Sequence, residues 1–143
     1  MDNFHVALAK AQASEHLVAD YLEKIGCTEI QFNQDYRYDL SYLRNGIFET
    51  AEVKHDLLYA TTGNVVIEIM SRGKASGITR SLADVWYYVL GDDIYEAKRP
   101  DILLFLIQHY DRSRKVNGGD NRTSLVCVIP YHHFCDVFKK VKQ

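Results

Sequence analysis

The chain has little cysteine and no pattern in what it has. Cys27, Cys127 and Cys135 make no Cys-x-x-Cys pair and stand at no zinc-module spacing with the histidines, which argues against a structural zinc site. An odd cysteine count without a secretory leader fits a reducing, intracellular (cytoplasmic) setting, where these residues are expected to fill the core. Long hydrophobic runs are missing too. The longest, Ile102 to Ile107, has six residues, whereas a bilayer span needs about 20, so no membrane crossing is expected. There is no excess of positive charge: the net charge is −2 and the pI about 6.3. That argues against coating nucleic acid through general basicity, while leaving room for a local basic groove around an acidic centre. The His-Glu-x-x-His spacing, the glycine-rich nucleotide loop, the nucleophile elbow and a Cys/His pair are all absent. A small-molecule or protein-partner module therefore has little to support it. No repeat, low-complexity tract or linker interrupts the 143 residues, and one domain over 1–143 is expected.

What is present is ordinary for a packed α/β protein: 47% hydrophobic, 25% charged, with ten Tyr and six Phe. The spacing predicts an amphipathic helix over 4–25, with Leu8, Ala11, Glu15, Val18, Leu22 and Ile25 on one face and Gly26 closing it. Glu15 is the one acid in that stripe. It calls for a partner, either a metal site or, if the stripe is slightly rotated, a surface base. Strands are expected over 37–43 and 47–54, joined by an Asn45-Gly46 hairpin turn. A third, central strand is expected over 65–70, with Glu68 as a second acid in an apolar run. Further strands are expected over 84–90, 94–98 and 125–129. Helices are expected over 100–110, where the short apolar run leaves a strand as the alternative, and from Pro130 to about Lys142, the latter with its terminal lysines on the helix dipole. Segments 28–34, 71–81 and 111–123 read as a short extended piece and two polar loops. Trp86 and the tyrosines beside it, which could stack on bases, are expected in the core, and the six histidines at the surface or its boundary.

The chemistry concentrates in Asp39, twelve intervening residues, then Glu52-Val53-Lys54. Side chains two apart on a strand share a face, so Glu52 and Lys54 point one way and Val53 the other. An Asn-Gly hairpin lays the two strands antiparallel and brings Asp39 toward Glu52. Two carboxylates and an ammonium then converge, as suits a hard divalent cation beside a positioned water. The alternative for Glu52 and Lys54 is a solvated surface pair of little energetic consequence.

The helix acid Glu15, then Asp39, then Glu52-Val53-Lys54 resembles the PD-(D/E)XK nuclease superfamily over residues 8–70. The stretch 62–84 looks like that of small phage-encoded members. The proline that precedes the first acid in that family is replaced by Tyr38. The resemblance implies an α/β fold with a restriction-endonuclease-like core, a central mixed β-sheet flanked by helices. It implies a Mg²⁺- or Mn²⁺-dependent deoxyribonuclease, an endonuclease of phage recombination, repair or host-DNA attack acting inside the host cell. Residue by residue, it implies Asp39, Glu52 and the Val53 carbonyl as metal ligands. Lys54 would orient or deprotonate the attacking water, and Glu15 would hold a metal-bound water. The alternative on the same fold is a catalytically inactive nucleic-acid-binding or assembly module.

DNA is the expected partner. The glycine-containing basic segment 71–81 is expected to approach its backbone through Arg72, Lys74, Ser76, Gly77 and Arg80, the alternative being an ordinary surface loop. One site cuts one strand, so cutting a duplex implies a homodimer.

Overall fold

The computed structural model describes residues 3–33, 35, 37–109, 114–118 and 124–141. Helix α1 (Asn3–Lys24) opens the chain. It closes in a Schellman arrangement: Cys27 N–H bonds the Leu22 carbonyl, Gly26 N–H bonds that of Glu23, and Gly26 takes φ +95°. The helix lies against β1 (Thr28–Phe32), β2 (Leu40–Arg44) and β3 (Ile47–His55). Asn45 and Gly46 both have positive φ, as a two-residue type I′ hairpin requires. That turn sets the register from Arg44 opposite Ile47 through to Leu40 opposite Ala51.

The main sheet has six strands in the order β1-β2-β3-β6-β7-β10, with β6 at Val85–Leu90, β7 at Asp93–Lys98 and β10 at Lys139–Val141. β3 and β6 run parallel and the other neighbours antiparallel, so the sheet is mixed. All six residues of β6 are buried, because both of its faces are covered. On one face Val18 and Leu22 of α1 pack with Leu40, Ala51, Tyr87 and Val89. On the other face Trp86 and Tyr88 meet Val65, Ile67, Ile102 and Phe134. The expected α/β architecture, a central mixed sheet flanked by helices, is what the chain adopts.

Between β3 and β6 the chain leaves this sheet. It makes the one-turn helix α2 (Tyr59–Thr62), then β4 (Asn64–Ser71), β5 (Lys74–Ala75) and a 3₁₀ turn at Gly77–Thr79. β4 pairs with β9 (Ser124–Pro130), and β9 with β8 (Arg114–Gly118), in a second sheet ordered β5-β4-β9-β8. Helices α3 (Arg99–His109) and α4 (Tyr131–Val137) complete the described structure. None of the described helices is long and apolar enough to cross a membrane.

Several expectations are corrected. The third strand belongs to this smaller sheet and not to the main one. Val65 and Ile67 are fully buried while Val66 and Glu68 are only half-buried, the alternation of a strand with one covered face. Segment 71–81 is a hairpin and a 3₁₀ turn held by Thr79, whose hydroxyl donates to the Ile69 carbonyl at 2.6 Å. Within 111–123, residues 114–118 are a strand, and Arg112, Gly119 and Arg122 lie outside the described residues. The last helix stops at Val137, and Lys139 and Lys140 enter β10, where Lys140 pairs with Asp93 at 3.3 Å. Cys135 is exposed, unlike the buried Cys27 and Cys127. Trp86, by contrast, is in the core as expected, its indole N–H donating to the Ser81 hydroxyl at 3.1 Å.

Candidate active site

The apolar stripe of α1 is rotated from its expected position. Ser14, Val18, Ala19, Tyr21 and Leu22 are buried, whereas Ala11 and Ile25 are exposed, and the side chain of Leu8 lies outside the described residues. Glu15 is thereby placed half-buried on the edge of the stripe. Its neighbour there is another acid, Asp39, and not a base.

Asp39 stands one residue before β2. Its N–H donates to the Ala51 carbonyl at 2.9 Å. Its carboxylate accepts a 2.8 Å bond from the Val53 N–H. The backbone N–H and C=O of one strand residue point to the same side, so the Val53 carbonyl faces the Asp39 side as well. The ladder ends at Leu40 opposite Ala51, and from just beyond that end the Asp39 carboxyl reaches Glu52, which feels its charge and a hydrogen bond to it. On β3, Ala51 and Val53 turn toward α1, while Glu52 and Lys54 lie on the other face beside Trp86 and Tyr88 of β6. Glu52 is largely buried, with 15% of its side chain exposed, and its carboxylate is 3.4 Å from Lys54 Nζ. The ammonium also sits 5.4 Å from the Trp86 ring centroid, a cation–π contact. The four expected residues Glu15, Asp39, Glu52 and Lys54 thus form one connected series.

The series is short of positive charge. Burial, then the charge of Asp39 and a hydrogen bond to it, raise the Glu15 carboxyl to about 7. Burial also raises Glu52 to about 7; Lys54 opposes that rise and Asp39 adds to it. Near neutral pH the site therefore holds protons that ordinary carboxylates would have lost. Among the described residues no three His, Cys, Asp or Glu side chains are drawn together as a ready-made cation cage. The donors that do converge are the Asp39 and Glu52 carboxylates and the Val53 carbonyl. They are all oxygen, the donor class a hard cation takes, and an added cation would relieve the unfavourable charge.

Beyond Lys54 the two sheets part to leave a cleft of about 360 Å³. Lys54, Leu58, Val66, Glu68, Tyr88 and Val126 are among its walls. Glu68 thus borders the site. Asp56, also on the wall, is structural: its carboxylate accepts from the N–H groups of Leu58, Tyr59 and Val66 at 3.0–3.1 Å. Asp84 is structural too, holding Thr50 through its N–H at 2.9 Å and its hydroxyl at 3.2 Å.

Sequence reasoning missed Ser14. It is 4% exposed, and its hydroxyl is 2.7 Å from Nδ1 of His55, tying α1 to the end of β3. Ser14 is not one of the positions of the expected helix face, and its partner lies 41 positions away, so no local spacing marks it. No residue of the basic segment 71–81 is among the cleft-lining residues. Arg72 and Gly73 form the β4–β5 turn, Arg72, Lys74 and Arg80 are exposed, and Ser76 precedes the 3₁₀ turn. Gly77 is pressed against the backbone of Glu68.

Among solved structures, the chain is similar to a bacterial homing endonuclease, I-Ssp6803I, at 19% sequence identity with a TM-score of 0.50. The match covers 66% of this chain and 66% of that one, just under two thirds of each. The likeness is one of fold, a fold used by a nuclease. No protein-family model matches the chain, and no curated protein matches it in sequence.

Proposed function

We propose that this protein is a Mg²⁺- or Mn²⁺-dependent nuclease that hydrolyses phosphodiester bonds in DNA. We further propose an endonuclease of the PD-(D/E)XK type. The observation that carries the reading is the convergence of Asp39, Glu52 and the Val53 carbonyl beside Lys54, with Lys54 Nζ 3.4 Å from Glu52. The homing endonuclease of similar fold adds weight. Asp39, Glu52 and the Val53 carbonyl would hold the cation. When bound, it would lower the pKa of water and neutralise charge on the phosphate. Lys54 orients the attacking water and offsets the negative charge that develops on the phosphoryl oxygens. Glu15, beside Asp39, would hold a water of the cation's shell. A phage origin, action inside the host cell and a homodimer that cuts both strands belong to the same proposal.

A second reading is an inactive nucleic-acid-binding or assembly module on this fold. It draws on the lack of a three-residue cation cage among the described residues. Titration calorimetry separates the two. The nuclease reading expects Mn²⁺ binding that disappears in Asp39→Ala and Glu52→Ala; the inactive module expects none.

The deciding experiment is a panel of end-labelled duplex, single-stranded, branched and nicked DNA, with RNA alongside, incubated with Mg²⁺ or Mn²⁺. Cleavage is expected in the wild type, with a loss of about 10²-fold or more in Lys54→Ala and an unchanged circular dichroism spectrum. If no nucleic acid is cut with either cation, the nuclease reading is wrong.

A further inference from the structure

The cleft beside Lys54 is not used by the reaction itself, and its walls are of two kinds. Leu58, Val66 and Val126 are apolar, and Tyr88 closes the floor, its hydroxyl committed to the Val66 carbonyl at 2.9 Å. Glu68 is the exception. It is half-buried, and among the described residues its carboxylate has neither a hydrogen bond nor an ion pair. Two features of the backbone aim it. The pairing of β4 with β9 slips between Glu68 and Met70, and such a bulge redirects side chains. On its other side Gly77 lies so close that an added Cβ would be 2.4 Å from the Glu68 carbonyl oxygen.

These walls select an occupant. The ionisable groups at the cleft are Lys54, which Glu52 already engages, His55, whose Nδ1 meets the Ser14 hydroxyl, and the carboxylates Asp56 and Glu68, so a phosphate placed past Lys54, deeper in the cleft, gains little there. An ionised carboxylate only accepts hydrogen bonds. The space lies at the lower end of the range for small-molecule pockets, about 300–1,000 Å³, enough for a flat ring system and too small for a duplex. A neutral ring with apolar faces and N–H donors on one edge meets every condition, and it must come from the strand whose phosphate is at Lys54.

We propose that this cleft receives one nucleobase unstacked from the strand being cut, and that Glu68 accepts a hydrogen bond from its exocyclic amino group. The proposal rests on the nuclease reading. The cleft then confers a preference for bases that present an exocyclic amine, cytosine, adenine or guanine, over thymine at one position beside the scissile phosphate. A carboxylate accepting from an exocyclic amine is a known mode of base discrimination, and extruded bases are held between apolar and aromatic walls.

The test uses DNA strands carrying 2-aminopurine at successive positions around the cleavage site, titrated with Lys54→Ala protein in Mg²⁺. A several-fold rise in fluorescence is expected at one position and at no other. That rise should vanish when Val66→Phe fills the cleft in the same background. In the otherwise wild-type protein, Glu68→Gln should change kcat/KM for thymine relative to cytosine at that position by about 5- to 150-fold, the span of one base contact. An abasic nucleotide there should erase the difference between Glu68→Gln and wild type. DNA that is bound and cut with no fluorescence rise at any position overturns this proposal alone. So does an unchanged thymine-to-cytosine ratio in Glu68→Gln, an isosteric variant that does not depend on the cleft-filling protein folding. A wild type that neither binds nor cuts DNA overturns the nuclease reading, and this proposal with it.

Discussion

One carboxylate oxygen of Asp39 accepts a 2.8 Å hydrogen bond from the Val53 N–H, just past the point where the β2–β3 ladder ends at Leu40 and Ala51. The side chain thus satisfies a backbone donor that has run out of strand. The same carboxylate puts negative charge beside Glu15 and Glu52. Asparagine can keep the first role, because its carbonyl oxygen accepts the same bond, but it removes the charge. Asp39→Asn is therefore expected to match or exceed the wild-type Tm at pH 8 and to lose cleavage. Asp39→Ala leaves the N–H unsatisfied and should cost about 1–3 kcal/mol. Thermal unfolding of the two variants beside a cleavage assay checks this. Equal destabilisation by both would contradict it.

Glu15 and Glu52, both raised to about 7, set a pH dependence of stability. The folded protein keeps protons that the unfolded chain releases near its ordinary carboxyl value of 4.5. The stabilisation from these two groups is fully present below pH 4.5 and is lost as pH rises through about 7. Because other groups titrate too, the informative quantity is the difference from Glu52→Gln, which stays neutral. The wild type should lose Tm relative to Glu52→Gln between pH 5 and 8, at about 3–5 °C per kcal/mol for a chain of this size. Binding of Mn²⁺ to the proposed site must displace these protons, so its affinity should rise over the same window. Calorimetry in buffers of different ionisation enthalpy would count the protons released.

The contact between the Ser14 hydroxyl and His55 Nδ1 fixes where α1 sits along β3, and with it where Glu15 meets Asp39. Ser14→Ala should cost about 1 kcal/mol and lower kcat more than it raises KM, because the error it introduces lies in positioning. Ser14→Thr, which keeps the hydroxyl, should recover part of the loss. If Ser14→Ala destabilised the protein to that extent and left kcat unchanged, the bond would serve the fold alone.

The elements whose periodicity was simple could be read directly from the chain. Asn45-Gly46 specified its hairpin and register, and with them the approach of Asp39 to Glu52. The aromatic and β-branched run over 84–90 specified a strand, and β6 is that strand. What escaped had competing explanations in the same letters. Val65 to Met70 is apolar enough for a central strand, yet its alternation of buried and half-buried residues emerges only once β9, sixty residues on, is paired with it. Lys139 and Lys140 suited a helix end as well as an edge strand, and pairing with β7 decided between them. In the site, the spacing of Glu15, Asp39, Glu52 and Lys54 carried the charges. The clamp from Ser14 to His55 spans 41 positions, and no local pattern encodes it.

Gly77 offers a test of how tightly the cleft wall is held. Its φ is +53°, and a Cβ there would lie 2.4 Å from the Glu68 carbonyl oxygen and 2.9 Å from the Glu68 Cβ. Gly73, in the β4–β5 turn, also has positive φ, +73°, but nothing lies within 4 Å of its would-be Cβ. Alanine at Gly73 therefore incurs only the left-handed backbone cost, about 1–2 kcal/mol. Alanine at Gly77 incurs that cost and must also push the 3₁₀ turn away from β4. Gly77→Ala should be the more destabilising by at least about 1–2 kcal/mol in urea unfolding. Since the displaced atoms belong to Glu68, it should also weaken base preference at the cleft before it abolishes cleavage, whereas Gly73→Ala should leave that preference intact. Equal midpoints for the two variants would mean that the wall yields at that point.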